Sequence, residues 1–573
     1  IAMKKSRLKL EDQLNPEDEP KFEEQQDNST EELNSRSDVS ENQREGTITS
    51  ARFNILTSMV GGGSLSLPLA FYQAGNGFLA PFLLICIAAL VEYSVYFLVQ
   101  AGNHTKRTNG ANSNTKGSLA YESVASSALG VKAGHLSMAL VCTICFGAIA
   151  GYGVLLRDML LPISDYLSPD GGKNSPTFVQ NITMLIVVLL VTPLCTLQNL
   201  TALQNIGMAS IISILTLFCC VTYRSVECNF SSEYDNIRHM PWREYISFLP
   251  SNDDEQSSSS TATLHQLANS LPILITVFMC HFNVLPVHNE LVNPSPKRVN
   301  RLFSTSIWSA TIFYLLMGFV GSMYGNCAES GRVEGNVLLS FPEDDVLLIL
   351  GRGCLTLTIA FALPVFVVPA RDMFLRALDS FCTGRREEVD DGDHVVDNLL
   401  HPVSSSSNDR YANPLENSIS GKHDLTEPLL ALEEDDVDVS EACTQGNYSS
   451  DGESDSSRMR VSVSIAILWS ASAVACCVKS IDTVWDVMGG SIQIIIGFII
   501  PSVSYLLLTR PNESTAEGVS DDDVHSEDEY SASNVLPTRN MWYRSMAWIL
   551  LIIFVPVMFI CTSNSVYNIV NDN

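Results

Sequence analysis

Charged side chains are scarce in this chain, and positive ones are the scarcer kind. Only 17% of the 573 residues are charged, and 34 Lys and Arg residues stand against 63 Asp and Glu residues. An excess of negative charge repels the phosphates of nucleic acid. Nucleic acid is therefore not an expected partner.

Sequence motifs for catalysis, metal binding and secretion are also missing. No nucleophile paired with a base and no phosphate-cradling loop stands out, so we expect no enzyme, no catalytic residue and no cofactor. Cys142 and Cys145 form a C-x-x-C pair, but no further ligand lies nearby, and no metal site is predicted. The polar first fifty residues do not resemble a signal peptide, and we expect a cytosolic tail.

The negative charge is concentrated in three polar segments. Residues 1–50, 384–459 and 512–540 hold 40 of the 63 acidic residues and 13 of the 34 basic ones. Such segments bury too little apolar surface to fold, so we predict that they are disordered, acidic and cytosolic. The remainder is nearly neutral and apolar, and its predicted parts are transmembrane helices 1–8 in 51–380, helices 9–10 in 460–508, and helix 11 with a short outer tail in 541–573.

The apolar remainder contains eleven stretches of about 20 residues or more, the length that crosses a bilayer. Their predicted positions are 52–74, 77–101, 134–162, 178–198, 201–224, 268–291, 302–324, 346–370, 460–480, 482–508 and 542–563. With the amino terminus inside, sixteen Lys and Arg residues lie on the inner side and eight on the outer side. This bias favours a cytosolic amino terminus. It suits a vacuolar or lysosomal membrane and the plasma membrane equally.

Each of two predicted outer loops carries one cysteine, Cys228 and Cys327. Because both face an oxidising compartment, we expect a disulfide between them, with two free thiols as the alternative. Asn229 begins a glycosylation sequon on the permitted side, so a glycan is expected there.

The first span is interrupted by three glycines, Gly61, Gly62 and Gly63. Glycine weakens a helix by about 1 kcal/mol relative to alanine and lets a ligand approach the backbone. Inside a membrane, broken backbone is tolerated only where protein or a water-filled cavity satisfies it. The triplet therefore indicates a substrate site, or alternatively close helix packing.

The sixth span is interrupted by polar residues and a proline. His281 and Asn283 lie at membrane depth, and Pro286 removes a backbone hydrogen bond. His281 is either a histidine that bridges helices or a group that binds protons or substrate, since histidine changes charge near neutral pH.

Glu92 is the one acid deep within an apolar span. Such a carboxylate is a candidate proton carrier, and the alternative is a hydrogen bond to a neighbouring helix.

Spans 1 and 6 are five apart, as in two inverted repeats of five spans followed by an eleventh helix. In such repeats the broken helices meet at the midplane. Exposed amides at Gly61 to Ser64 would attract a carboxylate, and freed carbonyls would accept an ammonium. This is a site for a zwitterionic amino acid.

Four motifs, in order, resemble the amino acid/auxin permease superfamily, and within it the sodium-coupled neutral amino acid transporter-like and vacuolar amino acid transporter-like branches. The residues that carry the resemblance are Phe53-Asn54, Gly61 to Phe71, Gly75, Cys280-His281, Pro286, Asn289 to Leu291, Leu363 to Val365, Pro369 to Arg371, Val484-Trp485, Gly489 to Ser491, Phe498 to Pro501 and Tyr505-Leu506. The resemblance implies an all-α polytopic protein with a LeuT-like 5+5 inverted repeat plus an eleventh transmembrane helix. It also implies amino acid transport and an outer-loop disulfide similar to Cys228–Cys327.

Three positions depart from the sodium-coupled members. This chain has Thr57 where those proteins carry asparagine, and Ala360 and Ala362 where they carry threonines. Fewer side-chain oxygens remain for a hard cation, which wants about six oxygen ligands. We therefore expect proton coupling or facilitated flux rather than sodium coupling.

The sequence predicts a secondary transporter of small neutral amino acids in a lipid membrane, with H⁺ or Na⁺ as its coupling ion. The candidate ion-coupling residues are Glu92, His281 and Thr57. The candidate substrate-binding residues are Thr57, Met59, Gly61, Gly62, Gly63, Ser64, Cys280, His281 and Phe282. The alternative is a membrane amino acid sensor that signals through its cytosolic segments.

Overall fold

The structure is a computed structural model that describes most of the apolar part of the chain. The described residues are 47–110, 120–167, 176–196, 204–250, 260–292, 294–397, 452–478, 481–509 and 537–571. Most of the three acidic segments lies outside them, so the predicted disorder stays a prediction. Where those segments are described, they continue the helices of spans 1, 8, 9 and 11.

The described residues form sixteen α-helices. In chain order they are α1 Ile48–Met59, α2 Leu67–Ala74, α3 Leu79–Gly110, α4 Tyr121–Leu129, α5 Val131–Leu167, α6 Pro176–Cys195, α7 Gln204–Phe230, α8 Trp242–Tyr245, α9 Ser260–Thr276, α10 His281–Glu290, α11 Pro296–Tyr324, α12 Val346–Asp397, α13 Gly452–Cys477, α14 Ile481–Val487, α15 Ile500–Leu508 and α16 Pro537–Asn571. Two π-helical turns, Met488–Ile492 and Ile495–Ile499, join α14 to α15.

The prediction of eleven spans is confirmed. Within the described residues, ten helices are long and apolar enough to cross a membrane, and α1 with Gly62–Ala74 forms an eleventh that bends by 47°. Span 6 comprises α9 and α10, and span 10 runs from Ile481 to Leu508. The all-α, polytopic fold class is therefore correct.

The two broken spans, 1 and 6, pack against each other in opposite directions. α1, the first half of span 1, contacts α10, the second half of span 6. α2, the second half of span 1, contacts α9, the first half of span 6. This antiparallel pairing of spans five apart is what the predicted inverted repeat requires.

Glycine and threonine fix the two ends of span 1. The Thr47 hydroxyl accepts a hydrogen bond from the Ser50 amide and caps α1. Gly75 ends α2 with φ of 98°, and a Cβ there would lie 2.9 Å from backbone atoms of Leu249. Only glycine allows both this backbone conformation and the close approach of the following loop.

Arginine side chains close the carboxy-terminal ends of several spans. The Arg157 guanidinium donates to the carbonyls of Ala475 and Val478 at the end of α13. Arg544 donates to Leu506 and Thr509 in the same way at the end of α15. Terminal carbonyls have no partner within their own helix and carry partial negative charge. Each arginine therefore supplies the missing hydrogen bonds and a compensating positive charge.

Cys228 at the end of α7 and Cys327 after α11 form a disulfide, with their Cα atoms 6.1 Å apart. Arg238 donates to the carbonyl of Cys228 at 2.9 Å and pins the loop that follows α7. The bond therefore joins the loops after spans 5 and 7.

The Asn229 amide lies beneath these loops and is only 3% exposed. Its Nδ2 donates to the carbonyls of Ser225 and Met323, and its Oδ1 accepts from Asn326. A glycan on Nδ2 would replace one of these hydrogens. Glycosylation at Asn229 stays a prediction, and it requires attachment before the loop folds.

We predict that Cys228→Ser lowers the free energy of unfolding by about 2–4 kcal/mol, because the bond closes a long loop in the unfolded chain. Its two cysteines are 99 residues apart. The measurement is thermal unfolding in detergent, with Cys219→Ser, a free and exposed cysteine, as the control. Equal melting temperatures for the two variants, or maleimide labelling of Cys327 in the denatured, unreduced wild type, would contradict the bond.

Candidate functional site

The helix of span 1 stops at Val60 and restarts after the glycines. Val60 (φ −83°, ψ 88°) and Gly61 (φ −148°, ψ −146°) both leave the helical region. The Val60 amide donates to the Leu56 carbonyl, and the next amide that donates to a backbone carbonyl in this stretch is that of Ser64, which bonds Gly61. The Gly62 amide donates to the Tyr152 hydroxyl. The intervening glycine amides precede a helix start, where amides have no partner within the helix.

Tyr152 of α5 lies directly over this break. A Cβ at Gly61 would overlap the Tyr152 hydroxyl oxygen, and a Cβ at Gly62 would overlap Leu155 and lie 2.8 Å from Tyr152 Cε1. The two glycines are therefore required for this close approach. At Gly63 a Cβ would make only ordinary contact, 3.6 Å from Val277 of span 6.

Aromatic rings of three further spans extend from Tyr152. Its ring centroid is 5.3 Å from that of Phe366 in span 8 and 6.1 Å from that of Trp485 in span 10. Phe366 in turn lies 5.5 Å from Phe282 of span 6. These four side chains, which we call the aromatic wall, are all buried.

The break in span 6 lies between α9 and α10. The Phe278 and Met279 amides bond carbonyls three residues back, and Cys280 leaves the helical region with φ of −132° and ψ of −8°. The Val277 carbonyl accepts a 2.7 Å hydrogen bond from the Tyr314 hydroxyl of α11. Span 7 thus satisfies one carbonyl that the break releases.

Several buried polar atoms near the breaks have no hydrogen-bond partner among the described residues. In span 1 these are the hydroxyls of Thr57 and Ser66, and in span 6 the side chains of His281 and Asn283. The Trp485 indole nitrogen in the aromatic wall shares this property. A buried polar atom without a partner costs about 1–3 kcal/mol, so these atoms mark positions for water or a bound solute.

Most predicted site residues lie at this junction, and it is closed to solvent. Thr57, Met59 and Ser64 are buried, and the Ser64 hydroxyl donates to the Gly61 carbonyl at 2.7 Å. Cys280 and Phe282 are buried on the span 6 side. The glycine triplet is broken and faces protein, as predicted, rather than forming a continuous helix toward lipid.

His281, a predicted substrate-binding residue, contacts span 10. Its ring packs on span 10, where Nδ1 would lie 3.4 Å from a Cβ at Gly497 and its centroid is 6.0 Å from that of Phe498. The expected alternative, a histidine that bridges helices through hydrogen bonds, is not what the structure contains, because neither ring nitrogen has a partner in the described residues.

Glu92 lies at the edge of the bundle. Its carboxylate accepts a 2.8 Å hydrogen bond from the Trp308 indole of α11, whose side chain is about a third exposed. The bond to a neighbouring helix is the alternative that the sequence left open. The proton-carrier role stays a prediction.

Tyr152, Phe366 and Trp485 are site residues that the sequence pattern does not single out. Tyr152 stands between Gly151 and Gly153, and this pattern signals a position where another element approaches a helix closely. Nothing in the sequence pairs these residues with span 1. In the described part of the chain no cluster of three His, Cys, Asp or Glu side chains suits a metal ion.

Comparisons with known proteins give the family of this chain. The family described as transmembrane amino acid transporter protein matches residues 44–524. Vacuolar amino acid transporter 5 of Schizosaccharomyces pombe is 26% identical over 350 residues, which are 61% of this chain and 73% of that protein. Vacuolar amino acid transporter 5 of Saccharomyces cerevisiae is 27% identical over 236 residues, which are 40% of this chain and 46% of that protein.

Two solved structures are similar at low identity. MhsT in complex with L-phenylalanine is 10% identical, with 91% of this chain and 99% of that chain covered and a TM-score of 0.48. A Na⁺-coupled sialic acid symporter is 11% identical, with 92% of each chain covered and a TM-score of 0.44.

The match to the family covers most of the chain and includes ten of the eleven spans. The protein belongs to the transmembrane amino acid transporter protein family.

Proposed function

We propose that this protein is a secondary transporter of small neutral amino acids that works by alternating access. The observation that carries the proposal is the meeting of two broken spans at a closed, buried junction with unpartnered polar atoms. A transporter needs such a site between two sets of moving helices. Family membership supports amino acids as the substrate class.

The backbone of span 1 suits the charged groups of an amino acid. The glycine amides lie at the start of the turn Gly62–Leu65, which leads into α2, and helix starts attract carboxylates. Tyr152 adds a hydroxyl at the same place. The last carbonyls of α1 and the Thr57 hydroxyl are acceptors for the ammonium group.

The aromatic wall supports an uncharged substrate side chain. Its four residues offer apolar ring faces, and no Asp, Glu, Lys or Arg belongs to it. The wall carries two polar groups, the Tyr152 hydroxyl and the Trp485 indole N–H, and the latter has no partner among the described residues, so a small hydroxyl on the substrate would also be accommodated. The positions of these rings, rather than charges, would set the upper limit on the size of the substrate side chain.

Coupling to protons, or facilitated flux, suits the junction better than sodium coupling. Thr57 brings one unpartnered hydroxyl, and Ala360 and Ala362 of span 8 bring none. A hard cation wants about six oxygen ligands. We further propose residence in the vacuolar membrane, as the names of the relatives suggest, with a cytosolic amino terminus.

The proposal is tested by uptake of labelled neutral L-amino acids into proteoliposomes that contain the purified protein. Replacing sodium by choline is expected to leave uptake unchanged, because Ala360 and Ala362 stand where the sodium-coupled members carry threonine hydroxyls. Facilitated flux would be insensitive to an acid gradient, and proton symport would be stimulated by it. Loss of uptake without sodium would refute the proposal of proton coupling or facilitated flux. Absence of saturable uptake of any amino acid would refute the transport function itself.

We predict that Gly62→Ala abolishes uptake while Gly63→Ala preserves it. A Cβ at Gly62 overlaps Leu155 and pushes on Tyr152, whereas a Cβ at Gly63 makes ordinary contact with Val277. The pair is matched because the two residues are adjacent and undergo the same change. The measurement is the initial uptake rate per amount of folded protein. Equal rates for the two variants would show that uptake does not depend on the close approach of Tyr152 and Leu155 at Gly62.

We predict that Tyr152→Phe raises KM about tenfold, because a hydrogen bond to a charged group contributes about 1.5 kcal/mol. Tyr93→Phe is the control, since its ring contacts Phe97 and Tyr543 away from the glycines. The concentration dependence of uptake gives KM for both variants. An unchanged KM for Tyr152→Phe would show that the hydroxyl does not touch the substrate.

A further inference from the structure

Span 10 carries a second buried polar cluster, separate from the glycine break. The Gln493 side chain is 1% exposed, and its Nε2 has no partner among the described residues. His281, also 1% exposed, has two such nitrogens. Gln493 Nε2 and His281 Nδ1 lie 3.3 and 3.4 Å from one point, the position that a Cβ on Gly497 would occupy.

The backbone around this cluster is π-helical. Ile495–Ile499 forms a π turn, which is rare in proteins and frequent at functional sites. A π turn releases carbonyls from the regular ladder, and side chains of other elements take them up here. The Ser94 hydroxyl of α3 donates to Gly497, and the Tyr121 hydroxyl of α4 donates to Ile496 at 2.5 Å.

Two carbonyls that the π turn releases already accept hydrogen bonds from hydroxyl groups. Burial raises the pKa of Tyr121 well above its ordinary value, so its hydroxyl stays protonated and remains a donor. The Gly497 carbonyl accepts from Ser94. A charged His281 ring needs two acceptors, and neither of its nitrogens has one in the closed structure described.

Charged groups near His281 are few. The elements packed on α10 are α1, α3 and the π turn 495–499. Their charged residues nearest mid-span are Arg52 on α1 and Glu92 on α3, and the π turn has none. Glu92 bonds Trp308 instead, and within the described residues no carboxylate pairs with His281.

We propose that His281 and Gln493 form a proton site at the span 6–span 10 contact, distinct from the amino acid cradle at Gly61 and Gly62. In the closed structure His281 is neutral. When α10 moves from span 10, water enters between the two side chains, Nδ1 or Nε2 takes up a proton, and Gln493 Oε1 accepts from it directly or through water. When the site closes again, Gln493 Oε1 faces the ring and keeps the proton on His281, and the proton leaves to water when the site opens on the other side of the membrane. The structure described, in which Gln493 Nε2 and both His281 nitrogens lack a partner among the described residues, is then the closed state without a proton. The inference rests on the proposed transport function.

The test uses the full-length protein in proteoliposomes loaded with a pH-sensitive dye. The probe is the labelled neutral L-amino acid that the wild type takes up fastest, added without a pH gradient. Amino acid uptake and internal acidification are recorded together, so that proton flux is normalised to uptake. The wild type is expected to acidify the lumen as the amino acid enters.

His281→Gln and Gly497→Ala are expected to lose acidification per amino acid taken up. The first keeps hydrogen-bonding capacity without titration, and the second keeps both side chains but fills the point between them. Gly353→Ala in span 8 is the matched control, because a Cβ there meets nothing within 4 Å, and its ratio should equal the wild type's. Because the two variants act independently, Gly497→Ala still decides the question if His281→Gln fails to fold.

A wild-type ratio in His281→Gln, or in Gly497→Ala, would overturn the proton site. Uptake by the wild type without any acidification would also overturn it, and would leave the proposed transport standing as facilitated flux. Absence of wild-type uptake would instead refute the transport function on which the inference rests.

Discussion

Every backbone amide and carbonyl inside a membrane must find a partner within the protein, and this need governs the structure. Spans 1 and 6 both violate the regular helix at mid-length. Neighbouring side chains supply part of the missing hydrogen bonds. The Tyr314 hydroxyl, for example, donates to the Val277 carbonyl. The Gly62 amide is likewise taken up by the Tyr152 hydroxyl. Side-chain atoms beside the breaks, such as the Thr57 and Ser66 hydroxyls, have no partner among the described residues and would be available to a solute in the proposed binding site.

The same need explains side chains far from the site. Arg157 and Arg544 occupy the final carbonyls of α13 and α15. The π turns of span 10 release carbonyls, and these accept hydrogen bonds from the hydroxyls of Ser94, Tyr121 and Thr562. Groups of this kind fix the ends and irregularities of the helices, while other buried polar side-chain atoms, near the breaks, along span 10 and elsewhere in the bundle, have no partner among the described residues.

Sequence reasoning predicted the features that depend on local composition. Hydrophobic length gave the eleven spans, and glycine and proline gave the two interruptions. It also paired Cys228 with Cys327, because only two cysteines were assigned to outer loops. These inferences succeed because each depends on a few adjacent residues and on the membrane as a fixed environment.

The remaining features depend on how helices rotate about their axes, which composition does not determine. Tyr152 reaches the glycines because α5 presents that side to span 1, and Gly61 and Gly62 leave room for it. His281 was expected beside the substrate, yet the rotation of α10 turns its ring toward Gly497. Apolar residues surround each of these spans on most sides, so no amphipathic pattern fixes the rotation.

The pairing of half-helices offers a physical link between the proposed proton site and the proposed amino acid site. α2 packs with α9, and α1 packs with α10, so each break separates one packed pair from the other. One pair can therefore tilt while the other stays in place. His281 is the first residue of α10 and rests on span 10, so a tilt of α10 changes its surroundings directly. The cradle at Gly61 and Gly62 lies between the two packed pairs, and the backbone of span 1 would transmit the same tilt to it. Two ligands that occupy these two places would then bias one conformational equilibrium without touching each other.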